Sequence, residues 1–92
     1  MEAKPTVFID NERTRVTEWR FAPGAATGWH RHEYDYVVVP MLDGRLELSS
    51  GGEDKQVAEL SKGVPYFRPV GVEHDVKNIN DFEYAFIEIE FK

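Results

Sequence analysis

The chain holds three histidines, His30, His32 and His74, and two of them form the triplet His30-Arg31-His32. On a strand, residues i and i+2 point to one face and stand about 6–7 Å apart. Two imidazoles so placed can converge on one ion, because metal–nitrogen bonds are about 2.0–2.1 Å for zinc and similar ions. A third ligand must come from elsewhere. His74 lies just beyond the turn Pro69-Val70-Gly71-Val72-Glu73, where a strand re-entering the interior could present it. The plain alternative is three unrelated surface or core histidines. Other chemistries find little footing. With no cysteine there is no disulfide scaffold, thiolate zinc site or cysteine nucleophile. Ser49, Ser50 and Ser61 fall in expected turns without a Gly-x-Ser-x-Gly elbow. Gly51-Gly52 lacks the Lys-Ser/Thr and the helix of a phosphate-binding loop.

Aromatic and basic residues flank the histidines. Trp29, Tyr34 and Tyr36 surround the His-x-His triplet, and Tyr66 and Arg68 precede Pro69. Alternation sends Tyr66 and Arg68 to one face and Phe67 to the other. Tyr34, Tyr36, Tyr66 and Arg68 are therefore candidate pocket residues, with ordinary core packing, or a solvated surface arginine, as the alternative. Arg68 inside the mouth would suit a carboxylate, because its guanidinium is a forked donor. No catalytic residue can be assigned from the pattern.

The elements that must position these groups read as strands. Thr17, Trp19 and Phe21 alternate with Glu18 and Arg20; Val37-Val38-Val39 is β-branched; Leu46 and Leu48 alternate with Arg45 and Glu47. Val57–Leu60 and Val64–Arg68 follow, and Ala85, Ile87, Ile89 and Phe91 alternate with Phe86, Glu88 and Glu90. That last pattern places Glu88 and Glu90 on an exposed face. Turn residues separate the runs: Pro23-Gly24, Asp43-Gly44, Ser49-Ser50-Gly51-Gly52, Lys62-Gly63, Pro69-Val70-Gly71 and Asn80-Asp81. Asp43-Gly44 reads as a hairpin turn with positive φ, and the Gly51-Gly52 tip as a second hairpin. Gly24, Gly44, Gly63 and Gly71 are most simply turn glycines supplying positive φ. No long Gly/Pro-free stretch has helical periodicity. The expectation is an all-β sandwich or barrel with little or no helix.

Length and charge narrow the rest. Ninety-two residues hold one small core, so stapling by a metal or a second subunit is expected. Residues 1–5 read as a loose N-terminal arm and residues 6–92 as the domain. Net charge is -6, which argues against nucleic-acid and anionic-membrane partners. No apolar run is long enough to span a bilayer and no signal core is evident, so a cytoplasmic protein is expected.

Two motifs add a resemblance. Gly24, five residues, then His30-Arg31-His32, with Gly44 closing, resembles the first cupin motif. Gly63, five residues, Pro69-Val70-Gly71, two residues, His74, three residues, Asn78 matches every position of the second. The resemblance implies an antiparallel jelly-roll β-barrel holding a divalent metal, with His30, His32 and His74 as ligands. By analogy with other single-domain cupins it also implies a homodimer. One departure stands out. The family's glutamate, three or four residues after the second histidine, falls on Tyr36 or Val37. Asp35 has the parity of Val37 but lies about 6–7 Å off register, a possible fourth ligand only if the chain bulges.

The family includes three-histidine oxygenases, so the missing glutamate does not imply an inert site. Imidazole suits Fe2+, Zn2+, Ni2+ and other ions; Fe2+ is favoured, with Zn2+, Ni2+ or Mn2+ as alternatives. Three neutral ligands leave the ion its full positive charge, so an anionic or chelating small-molecule substrate is expected. The leading expectation is an iron-dependent dioxygenase. The alternatives are a non-catalytic ligand-binding or sensing module, and a sugar or keto-acid isomerase. An isomerase needs an internal base, for which Glu33, Tyr34, Asp35 and Tyr36 are the nearby candidates.

Overall fold

The computed structural model describes residues 1–51 and 54–92. Among them the chain forms nine strands and no helix: β1 (Lys4–Asp10), β2 (Thr14–Phe21), β3 (His30–Arg31), β4 (Asp35–Pro40), β5 (Gly44–Ser49), β6 (Lys55–Leu60), β7 (Tyr66–Arg68), β8 (Glu73–Asn78) and β9 (Tyr84–Phe91). They make two sheets, ordered β1-β2-β9-β4-β7 and β3-β8-β5-β6. All strand pairings are antiparallel. This is the all-β jelly-roll barrel expected from the alternating patterns. Phe21, Tyr36, Val38, Leu46, Val76, Tyr84 and Phe86 from both sheets fill the space between them. That shared interior is what burial of the alternating apolar positions achieves.

One buried side chain clamps the end of the barrel away from the histidines. Asn78 is 0% exposed. Its Nδ2 donates to the carbonyls of Phe21, Ala22 and Phe82, and its Oδ1 accepts from the backbone N–H and side-chain Nδ2 of Asn80. An amide can satisfy this many neighbours because it carries both donors and acceptor lone pairs.

Four sequence expectations need correction. Residues 1–5 are not a loose arm throughout. Ala3 is buried and its N–H donates to the Ala26 carbonyl, while Lys4 and Pro5 begin β1. A small apolar residue has found a backbone partner, which alternation alone does not reveal. Asp43-Gly44 is not a hairpin turn. β4 pairs with β7 and β9, β5 with β6 and β8, so the segment crosses between sheets. β5 does pair with β6, but Gly52, part of the expected tip between them, lies outside the described residues. Gly44 is not among the glycines with positive φ, whereas Gly24, Gly63 and Gly71 are. Gly44 serves by having no side chain: a Cβ there would sit 2.7 Å from Tyr84 Cε1.

β9 shows the largest difference. Glu88 and Glu90 are 7% and 6% exposed, whereas Phe91 is 44% exposed. Tyr84 and Phe86 claim the interior face at one end of the strand. Period-two geometry then carries Glu88 and Glu90 to the same face.

Gly44→Ala is expected to lower stability by about 1–3 kcal/mol, as overpacking does. The Tyr84 ring is fully buried and its hydroxyl donates to the Leu42 carbonyl, so it has little room to retreat. Urea denaturation of the two proteins measures the difference.

Candidate metal centre

The three histidines come from two strands and one connection. His30 on β3 is the direct cross-strand partner of His74 on β8. His32 follows β3, shares the parity of His30, and is held by exchange with the next turn. Its N–H donates to the Val72 carbonyl, and its own carbonyl accepts from Gly71 N–H. Gly71 has φ of 94°, a conformation glycine tolerates and which brings that turn back under His32. The result is convergence. His32 Nε2 lies 3.0 Å from His30 Nε2 and 3.0 Å from His74 Nε2. The donor atoms of all three lie within 4.8 Å of one another.

The surroundings prepare these nitrogens. The Gly28 carbonyl lies 2.9 Å from His30 Nδ1, so the ring proton belongs on Nδ1 and the Nε2 lone pair faces inward. Orientation by the second ring nitrogen is the usual support for a metal-binding imidazole. Thr27 also anchors this loop, its Oγ1 donating to the Gly28 carbonyl and accepting from Val76 N–H. Burial lowers the pKa of both His32 and His74 to about 4, with the neighbouring His30 charge adding to the effect. Both rings are therefore neutral at pH 7, the protonation state that metal binding requires.

A small cavity of about 40 Å³ opens onto the trio, and a wider chamber of about 310 Å³ lies beside it. Tyr36, Tyr66 and Arg68 line the inner cavity. Tyr34 lines neither space; it lies against Arg15, whose guanidinium carbon is 5.9 Å from its ring centroid. Trp29 is also outside, 55% exposed. The Arg68 guanidinium lies over the Tyr66 ring at 4.7 Å, and its charge helps keep His74 deprotonated. Tyr36 is 2% exposed, and its hydroxyl has no hydrogen-bond partner among the described residues. A buried hydroxyl without a partner is costly; its place in the cavity lining fits a donor awaiting a ligand.

A Cupin domain model matches residues 17–90. The chain belongs to the cupin family. It is 54% identical over 91 residues to the β-alanine degradation protein BauB of Pseudomonas aeruginosa, covering 99% of this chain and 95% of that protein. It is also similar to a crystallised cupin domain from Bordetella pertussis Tohama I, with 58% identity, a TM-score of 0.94, and coverage of 99% and 94%. A cupin with a double-stranded β-helix fold from Methanocaldococcus jannaschii shares the fold at 13% identity, with a TM-score of 0.79 and coverage of 97% and 79%.

In this cupin the glutamate position of the first motif is Tyr36. β4 alternates so that Tyr36 and Val38 face the interior and Asp35 and Val37 do not. Tyr36 stacks on His32, ring centroids 3.8 Å apart and planes 18° apart. Asp35 is no fourth ligand: it is exposed, and its Oδ1 accepts from Val70 N–H at 2.7 Å. No bulge turns it inward, so its carboxylate secures the Pro69–Gly71 turn instead.

The residue that sequence reasoning missed is Glu88. It lines both the inner cavity and the outer chamber. Burial, reinforced by the nearby Glu90 charge, raises its pKa from 4.5 to about 7, against opposing pulls from Arg15 and the Trp19 side chain. Glu90 differs: Arg15 grips it in a forked pair, Nε to Oε1 at 2.9 Å and Nη2 to Oε2 at 3.1 Å. The available signal was the parity shared with Tyr84 and Phe86.

Glu88 has a stability consequence with a definite sign. Between pH of about 4.5 and about 7 the folded protein keeps a proton that the unfolded chain has released. This contribution is fully present below pH 4.5 and is lost as pH rises to 7. Its size is on the order of 3 kcal/mol. His32 and His74 act in the opposite direction from about pH 4 to 6.5, so a variant is needed to separate the terms. The stability of Glu88→Gln relative to the parent is expected to climb from pH 4.5 to 8 in denaturation series. A constant difference across that range would contradict the assigned environment.

Proposed function

We propose that this cupin is a metal-dependent enzyme, iron(II) favoured, bringing dioxygen to a small anionic or chelating organic compound. The observation that carries the reading is the convergence of three inward-facing Nε2 atoms on a cavity lined by Arg68 and the unpartnered Tyr36 hydroxyl. The 3.0 Å spacings at His32 bring the ring nitrogens close enough to share one divalent ion. A bound ion of this kind supplies positive charge and vacant coordination positions.

The chain's own residues supply the rest. Arg68 brings a forked donor toward a carboxylate, Tyr36 offers its hydroxyl, and Trp19, Val38 and Phe86 keep the inner cavity apolar. The 54% identical relative is named for degradation of β-alanine, itself a carboxylate. A small carboxylate is therefore the favoured ligand class. A second reading, a keto-acid isomerase, draws support from Glu88, an interior carboxylate able to serve as the base that reaction needs. Turnover without oxygen separates the two.

Iron-loaded protein is expected to consume oxygen in proportion to substrate across a panel of small oxo acids, thiols and diketones. Lack of uptake with confirmed iron occupancy removes the oxygenase reading. Metal binding is tested separately. Nickel at 100 times its Kd is expected to stabilise the parent by about 2.7 kcal/mol, and His74→Ala is expected to lose that gain in thermal melts.

The same proposal includes a cytoplasmic homodimer. No described helix is long and apolar enough to cross a membrane. The sheet-edge strand β1 exposes Val7, Phe8 and Ile9 at 54%, 57% and 49%, a row suited to covering by a second copy. Sedimentation at micromolar concentration is expected to give a dimer; a monomer there overturns this assignment.

A further inference from the structure

Glu88 is set where a ligand must pass. It belongs to β9, the middle strand of the five-stranded sheet, and its cross-strand neighbours are Thr17 on β2 and Val38 on β4. It is shared by the linings of the outer chamber and the inner cavity, as are His30 and His32. Because Glu88 lines both the cavity at the trio and the chamber outside it, a small ligand that passes from the chamber to the trio meets the Glu88 side chain.

We propose that Glu88 makes this a proton-linked carboxylate site: one proton joins Glu88 as a small carboxylate enters, and the neutral carboxyl donates a hydrogen bond to it. The inference rests on the reading of the trio as a metal centre that takes an anionic ligand. An ionised Glu88 would oppose a second carboxylate in the same small, weakly screened space. The proton comes from solvent, and no covalent bond of the ligand is made or broken. Protonated Glu88 then gains an acceptor for its hydrogen, which a carboxylate supplies and a neutral apolar molecule does not. This is a basis for selecting carboxylates, beside the charge of Arg68.

From the opposing wall His30, His32 and His74 line the same cavity, and a bound metal requires their deprotonated form; the other neighbours leave Glu88 as the group free to respond between pH 7 and 9. On β9, Glu90 is held by its ion pair with Arg15 of β2. Trp19 and Thr17 on β2 and Val38 on β4 carry no titrating group. Tyr36 on β4 and Tyr66 on β7 are pushed above their ordinary range, chiefly by burial. Arg68 on β7 lines the same cavity. Burial brings Glu88 itself to about 7, so above neutrality it is ionised in the empty site and has a proton to gain.

The test is calorimetric titration of malonate into nickel-loaded parent and nickel-loaded Glu88→Gln at pH 8, in two buffers of different ionisation enthalpy. Nickel stoichiometry is measured first by metal analysis. The parent is expected to take up about one more proton per malonate than the variant. Any proton exchanged by water at the nickel is common to both and cancels. From pH 8 to 9 the parent's Kd is expected to weaken about tenfold more than that of the variant. Equal proton uptake and parallel pH profiles overturn the role of Glu88. So does a variant that loads nickel and folds as the parent does, by circular dichroism, but binds malonate with the same proton linkage. Failure of the parent to load nickel overturns the metal centre itself. Nickel loading without malonate binding by the parent overturns the carboxylate site and leaves the metal centre standing.

Discussion

Three imidazole nitrogens brought close together inside a β-barrel are the constraint on which the rest of the molecule turns. Nitrogens 3.0 Å apart repel if protonated and lose hydration by burial. The fold answers with hydrogen bonds that face the rings inward and with an interior that keeps two of them uncharged. The cross-strand pairing of His30 with His74 makes the cluster a property of strand register. A slip of one residue would send His74 to the other face. The turn at Gly71 and the Asp35 carboxylate that holds Val70 guard that register from one side, and the Asn78 clamp guards it from the other.

Charge inside the barrel is arranged in two tiers. Near the mouth, Arg15 and Glu90 neutralise one another. Further in, Glu88 has no such ion-pair partner among the described residues and responds to the low dielectric around it. The opposing sheet contributes the trio. One wall thus carries groups that prefer to bind a cation and the other a carboxyl that prefers to keep its proton. Tyr36, stacked on His32, bridges the two. With an aromatic ring at the position of the family's glutamate, the cluster consists of histidines alone among the described residues.

Much of this was legible from local rules. His30, His32 and His74 stand in two spaced motifs, and period-two alternation marked most strands. Asn78 stands at the last position of the second motif. What sequence misjudged were matters of face and partner. Glu88 and Glu90 look like the solvent side of an amphipathic strand because alternation gives two faces without saying which is inside. Tyr84 and Phe86 decide that by burying their rings on the interior face of β9. Asp43-Gly44 has the composition of a hairpin turn, yet its flanking strands belong to different sheets.

The sequence by itself determined the strand periodicity, the all-β class and which three histidines to examine as a cluster, because these depend on residue type and short spacing. Only the tertiary structure decided which wall each side chain faces. It chose Tyr36 over Val37 for the glutamate position, turned Asp35 outward and brought Glu88 into the cavity. Those outcomes follow from register and packing between strands distant in the chain, where the burial of a few large rings sets the parity that short-range pattern leaves open.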